Sequence, residues 1–353
     1  MTIPLNTGVG RKTIWQRPKE ISPEVLSMTQ LVTLSVVNGD VFTFKTDVLV
    51  LKYAQNLYGL DQAVHTRLQQ HGIHNALPDV NDDVVIETRG ALPAANIMFI
   101  GVKSLRQFNY SEIRDFARRA LVSLARKSPN AQHLSFTIHG TGYGLDEIEA
   151  FESELAGVVE AITGGVFPKS VESITFVESD QGRAKRLSNS LKKLFPSGSL
   201  SIDGHRSISM LTTESQDTLR TAGYSSAGKP HVFVAMPFAP EMDDIYHYGI
   251  QGAANASGLL CERADLSVFT GDVMEWVRAR ISSAKLVVAD LTSANPNVYL
   301  EVGYAWGCRV PTVLLVKAAD ELKFDVKGQR CIVYKSIKQL EESLRHELQG
   351  LAL

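Results

Sequence analysis

The stretch ADLTSANPNVYLEVGYAWG sets two carboxylates, Asp290 and Glu301, on either side of an Asn-Pro-Asn turn. Two carboxylates at one pocket can divide labour. One attacks or stabilises a cationic sugar carbon, and the other binds hydroxyls or handles protons. Asn295 sits between them, with an amide that can bind a sugar hydroxyl but cannot act as a base. Asn297 fits a helix N-cap, which places Glu301 one turn into the helix and able to point back toward the turn. The small residues Gly303 and Ala305 let that helix pack closely. A plainer reading stays open, in which Asp290 caps a turn and Glu301 complements the positive end of the helix. Upstream, Met236, Pro237 and Phe238 close an apolar run, HVFVAMPF, where Phe238 can stack on a base. Asp272 and Glu275 begin another helix facing the same region.

These residues need a scaffold. HVFVA, KLVVAD, PTVLLVK and CIVY read as buried strands. Between and after them, helical periods run over 242–258, 272–283, 297–307 and 337–348. Such alternation predicts an open parallel sheet whose ligand lies outside the carboxyl ends of the strands.

The first half repeats the alternation with more variety. LVTLSVV and VFTF read as strands broken by Asn38-Gly39-Asp40, and DVLVLKYA as a strand buried on both faces. Helices are expected over 60–72, 110–127 (capped by Ser111), 146–162 and 181–194. HLSFTIHG runs into Gly140-Thr141-Gly142-Tyr143-Gly144 and then a helix. Glycines at alternate positions allow backbone N–H groups to approach an anion, although a tight strand-to-helix connection would use them too. Residues 1–28 read as a polar arm, and 197–230, rich in Ser, Thr and Gly, as a linker. The expected organisation is therefore α/β in two domains: 29–196 with a mixed sheet and helices, and 231–353 with a flavodoxin-like doubly wound parallel sheet.

Two resemblances follow from these residues. VFVAMPF, ADLTSANPNVYLEVGYAWG, VPTVLLVK and FDVKGQRCIVY resemble the nucleoside 2-deoxyribosyltransferase-like group, which is allied to TIR domains. That resemblance implies that Glu301 is a nucleophile attacking C1′ of a nucleoside or of the nicotinamide ribose. Where the transferases carry an Asp six residues before the Glu, Asn295 stands here, which implies hydrolysis rather than transfer between bases. GDVFTFKTDVLVLKYA and GTGYG resemble a macro domain. This implies Asp40 at an adenine and Gly140, Thr141, Gly142, Tyr143 and Gly144 at a diphosphate.

Composition narrows the remaining choices. With 36 Lys+Arg against 38 Asp+Glu, no basic excess calls for nucleic acid. Three scattered cysteines, Cys261, Cys308 and Cys331, give no zinc spacing or disulfide framework and read as small buried hydrophobes. No metal and no cofactor are expected, with NAD or a nucleotide as substrate instead. Apolar runs fall short of the ~20 residues that span a bilayer, and no secretory leader is seen, so a cytoplasmic protein is expected. The combined expectation is an N-glycosidase acting on a nucleotide or NAD and regulated by an ADP-ribose-like activator at the macro-like domain. It would be a homo-oligomer and, by analogy, a bacterial anti-phage effector. The alternatives are a non-catalytic nucleotide-sensing protein and a TIR-type enzyme producing cyclic ADP-ribose.

Overall fold

The computed structural model describes residues 30–351 except 105–106, 141–143, 204–206, 209–210, 264–272, 320–321, 324–325, 327 and 330. Within it the strands are β1 (Gln30–Asn38), β2 (Thr46–Tyr53), β3 (Asp83–Glu87), β4 (Ala94–Gly101), β5 (His133–Phe136), β6 (Ser173–Glu178), β7 (Ser199–Asp203), β8 (Ser207–Ile208), β9 (His231–Ala235), β10 (Leu260–Glu262), β11 (Leu286–Asp290), β12 (Thr312–Val316) and β13 (Cys331–Val333). The α-helices are α1 (Gly59–Gln70), α2 (Tyr110–Lys127), α3 (Glu147–Thr163), α4 (Gln181–Leu194), α5 (Thr213–Thr221), α6 (Pro240–Asp244), α7 (Gly252–Ala256), α8 (Val273–Ser283), α9 (Pro296–Gly307) and α10 (Ile337–Gly350). The architecture is α/β with two sheets, one mixed and one parallel.

The mixed sheet runs β3-β4-β2-β5-β6-β1-β7-β8. Its centre, from β4 to β1, is parallel, and β3, β7 and β8 join antiparallel at the edges. β2 shows why the centre is buried on both sides. Val48 and Val50 enter the core with α2 and α3, while Leu49 and Leu51 enter the core with α1. α2 starts at Asn109, not Ser111: the Asn109 side chain accepts from the N–H groups of Ser111 (3.0 Å) and Glu112 (3.2 Å). The expected strand VFTF is instead a turn, because Asp40 accepts the N–H groups of Thr43 and Phe44 on its carbonyl. The expected linker is also corrected. β7 pairs with β1, burying Leu200, and α5 packs its Leu219 into the first core.

The parallel sheet runs β10-β9-β11-β12-β13, every neighbour parallel. In order of appearance this is 2-1-3-4-5, the flavodoxin-like order, with its switch point between β9 and β11. Helices cover both faces. Leu286 and Val288 of β11 pack with Ile245, Leu340 and Leu344, and Val287 and Ala289 pack with Val277, Val298 and Val302. The expected helix over 242–258 is α6 and α7 joined by a π-helical segment, Ile245–Gln251. Gly249 permits its close packing on α10, since a Cβ there would lie 2.8 Å from Leu340 Cδ2. Of the cysteines, only Cys261 is buried, and Cys308 is exposed. No helix among the described residues is long and apolar enough to cross a membrane.

Candidate functional site

At the switch point the chain leaves β9 through Met236-Pro237-Phe238 and leaves β11 through 291–295 into α9. The second loop is strained. Ser293 and Ala294 both take positive φ, 62° and 47°, without glycine's freedom. Side chains help to hold it: Asp290 Oδ1 accepts Thr292 N at 3.0 Å, and Thr292 Oγ1 accepts Lys317 N at 3.2 Å. Asn295, rather than Asn297, caps α9 by accepting Asn297 N at 3.0 Å, and Pro296 occupies the first helical position. The Oδ1 of Asn295 is thus engaged by the helix start. The Asn297 side chain is exposed at the helix start.

Glu301 follows in the second turn of α9, on the flank of the buried Val298–Val302–Ala305 stripe. It is half-buried and has no hydrogen bond or ion pair among the described residues. Burial without compensation pushes its carboxyl up to about 7. Asp290 differs. It is fully buried, in phase along β11 with Leu286 and Val288, and Tyr334 donates its hydroxyl to Oδ2 at 2.6 Å. Its side chain therefore belongs to the α10 face of the sheet, whereas Glu301 rides on the helix covering the other face. The expected carboxylate pair is not formed, and the plainer reading of Asp290 as a turn cap holds.

The other expected residues divide. Met236 and Pro237 are buried, and Met236 is part of the core; only Phe238, 42% exposed, presents a face at the crest. Gly303 is exposed on α9, where an added Cβ would meet nothing within 4 Å, so it is not needed for close packing of that helix. Asp272 lies outside the described residues. Sequence reasoning missed Arg263, which follows β10 and lies over the rings of Tyr246 and Phe238.

The first sheet has a second constellation at its carboxyl end. Asp40 is exposed; Oδ1 accepts Phe42 N at 2.9 Å, and Oδ2 has no partner among the described residues. Beside that turn, Phe42, Gly59, Gln62, Ala63 and Thr66 line a cleft of about 650 Å³, a size suited to a nucleobase and sugar. Gly140 has φ 93°, and a Cβ there would lie 2.7 Å from Leu145 Cδ1, so glycine is required. Gly144 also has positive φ, while Thr141, Gly142 and Tyr143 lie outside the described residues. Beneath this loop is a buried polar cluster that the apolar look of β2 concealed. Lys52 Nζ meets Asp61 Oδ2 at 2.5 Å, with both side chains buried. Glu154 is fully buried, with neither oxygen in a well-formed hydrogen bond, and burial drives its carboxyl well up. Burial, then the charge of Lys52, holds His139 well below the usual imidazole range.

The residue that ends the glycine loop ties the two sheets together. Asp146 caps α3 with Oδ1, accepting Ile148 N and Glu149 N, and with Oδ2 accepts Cys261 N at 3.0 Å from β10. Tyr110 donates to Glu262 Oε1 at 3.0 Å while its oxygen accepts Asp146 N at 2.9 Å. Arg280 closes the set on Glu262. Alongside, Glu147, Arg186 and His247 form a second bridge, carried on the π-helical segment. His247 therefore joins the second half to the first.

No family model and no curated protein matches the chain. For about its first half, it is similar to solved macrodomains. The Oceanobacillus iheyensis macrodomain with MES bound is 19% identical, with 46% of this chain and 92% of that chain covered and a TM-score of 0.35. The Trypanosoma brucei macrodomain in complex with ADP-ribose is 17% identical, with 44% and 68% covered and a TM-score of 0.35. The macrodomain of Mycobacterium tuberculosis DarG is 16% identical, with 40% and 96% covered and a TM-score of 0.31.

Proposed function

We propose that the protein cleaves the N-glycosidic bond of a nucleotide or NAD, with Glu301 as nucleophile, and that an ADP-ribose-like nucleotide held by the first half controls this activity. The observation that carries the reading is the state of Glu301. A carboxylate desolvated at the switch point of a 2-1-3-4-5 parallel sheet costs folding energy that no contact among the described residues returns. Strain at Ser293 and Ala294, in the loop leading to it, adds to that cost at the same place.

In the proposed reaction a Glu301 oxygen attacks C1′. The C1′–N bond breaks, and its electron pair leaves with the base. Water then attacks C1′ of the glycosyl-enzyme, releasing the sugar and restoring the carboxylate. Asp290, occupied by Tyr334 and Thr292, is not placed to protonate a leaving base. This favours a pyridinium such as nicotinamide, which departs neutral without a proton. Control from the first half is supported by the Asp146 and Tyr110 bridges, which join the end of the glycine loop to β10. An anti-phage role remains an analogy from the domain pairing.

The test is to incubate the full chain with NAD, ATP, dATP and deoxynucleosides, with and without ADP-ribose, and to separate free bases by chromatography. Free nicotinamide selects an NADase, and free adenine or guanine a nucleosidase. Undiminished release by a Glu301→Gln protein removes Glu301 from its role.

A further inference from the structure

Arg263 is the first residue beyond β10, at the carboxyl edge of the parallel sheet. Its guanidinium carbon lies 4.2 Å from the ring centroid of Tyr246 and 5.4 Å from that of Phe238. Nη1 is 3.8 Å from Met236 Sδ. Its one acidic contact among the described residues is Asp243 Oδ1, 3.3 Å from Nη2. The Arg263 side chain is 13% exposed, but that of Asp243 is 57% exposed, so the pair is weak and easily displaced. The outcome is a guanidinium with a largely buried side chain, lying over two aromatic rings, with Asp243 as the one oxygen partner of its N–H donors among the described residues. Stacking fixes the plane and leaves the donor edge for a bidentate oxyanion.

The position gives that anion an identity. β10 lies next to β9, and β9 next to β11, so Arg263 stands two strands from the loop that leads to Glu301, about 10 Å at ordinary strand spacing. A ribose phosphate lying over the crest of the sheet would set its phosphate at Arg263, on the side of Tyr246 and Met236, and its anomeric carbon across the β9 loop on the α9 side, toward Glu301. Phe238 lies between them on the β9 loop. We propose that Arg263 is the phosphate-binding residue of this site, so that it prefers 5′-phosphorylated nucleotides, mono- or dinucleotide, to free nucleosides. The substrate assignment rests on the glycosidase reading above; the phosphate site itself does not.

Two measurements separate the ideas. In the first, base release is compared between each nucleotide and its nucleoside for the wild type, Arg263→Ala and Arg263→Lys. The expected result is a fall in kcat/KM of about 10- to 100-fold for the nucleotide in Arg263→Ala. Arg263→Lys should recover part of it, and the slower nucleoside reaction should stay within a few-fold. An equal loss on both substrates overturns the proposal. In the second, ribose 5-phosphate and ribose are titrated calorimetrically into Glu301→Gln and into Glu301→Gln/Arg263→Ala, each first checked for folding by circular dichroism. Binding of ribose 5-phosphate that Arg263→Ala abolishes supports the site even if no base is ever released, a result that would sink only the glycosidase reading. Equal binding to both proteins, or none to either, overturns the phosphate site.

Discussion

Replacing Glu301 by Gln should make the protein more stable, and by an amount that depends on pH. The folded carboxyl titrates at about 7 against an ordinary 4.5 because burial disfavours its charged form. Between those values the unfolded chain has released a proton that the folded protein keeps, so folding stability falls as pH rises from about 4.5 to about 7 and is level beyond. At 1.36 kcal/mol per pKa unit the loss approaches roughly 3 kcal/mol. Gln has the same shape and no charge to desolvate, so the stability difference between Glu301→Gln and wild type should grow by about that amount between pH 4.5 and pH 8. In thermal melts this appears as a variant advantage of several degrees at pH 8 that shrinks toward pH 5. Activity should move the opposite way. A nucleophile must be ionised, so wild-type base release should rise through pH 7, and the variant should lose at least about a thousandfold. Melting curves of variant and wild type that keep a constant offset from pH 5 to pH 8 would refute the claim that this carboxylate is buried at a cost.

Other substitutions separate scaffold from chemistry. Asp290→Ala removes the acceptor that Tyr334 Oη and Thr292 N–H share in the core and should cost about 3 kcal/mol by urea denaturation. Asp290→Asn, assayed where it is folded, should keep base release within about tenfold, and a collapse like that of Glu301→Gln would return Asp290 to the chemistry. Ala294→Gly relieves a left-handed residue and should raise stability by about 1 kcal/mol, read as a shift in the urea midpoint; a loss would mean that the φ of 47° carries no strain. Tyr110→Phe removes the hydroxyl that joins Asp146 N to Glu262. It should leave ADP-ribose binding intact while weakening any dependence of base release on ADP-ribose, and unchanged dependence would exclude this bridge as the connection.

How much of this was legible in the chain follows from which interactions are local. The parallel sheet was readable because HVFVA, LVVAD and TVLLV are continuous apolar runs between helical periods, a pattern that arises only when both faces are covered. That Glu301 would ride on a helix following β11 was readable because loop, cap and acid lie along one strand-to-helix connection. The errors came where a residue's partner is distant in sequence. Asp290 looked like half of a catalytic pair, but its partner is Tyr334, brought beside it only when β13 joins β12. Lys52 was hidden in an apolar run because the charge that neutralises it, Asp61, lies on a helix packed across the sheet. The segment 197–230 looked like a linker from its composition, yet Ser-Leu-Ser-Ile-Asp has the period-2 alternation of an edge strand, a signal outweighed by the serines and glycines.

The contacts between the halves were the least legible, and they give the regulatory reading its physical content. Asp146 carries two loads: one carboxylate oxygen caps α3, directly after the glycine loop, and the other accepts the N–H of Cys261 in β10. Burial pushes its carboxyl up to about 6, so it is a costly group to keep ionised there and depends on those donors to remain so. β10 is only Leu260–Glu262, and the residue after it is Arg263, over Phe238. In the proposed regulation, a diphosphate taken up beside Gly140 and Gly144 would act through Asp146 on a strand three residues long, held at Cys261 by Asp146 and at Glu262 by Tyr110, directly before the guanidinium of Arg263. Short, polar-anchored strands move as units more readily than long apolar ones, because few buried contacts resist them. The coupling needs no chain of intermediates across the sheet. It requires only that ligand at the first site change the position of β10, which is a differential contact between two states and measurable as such.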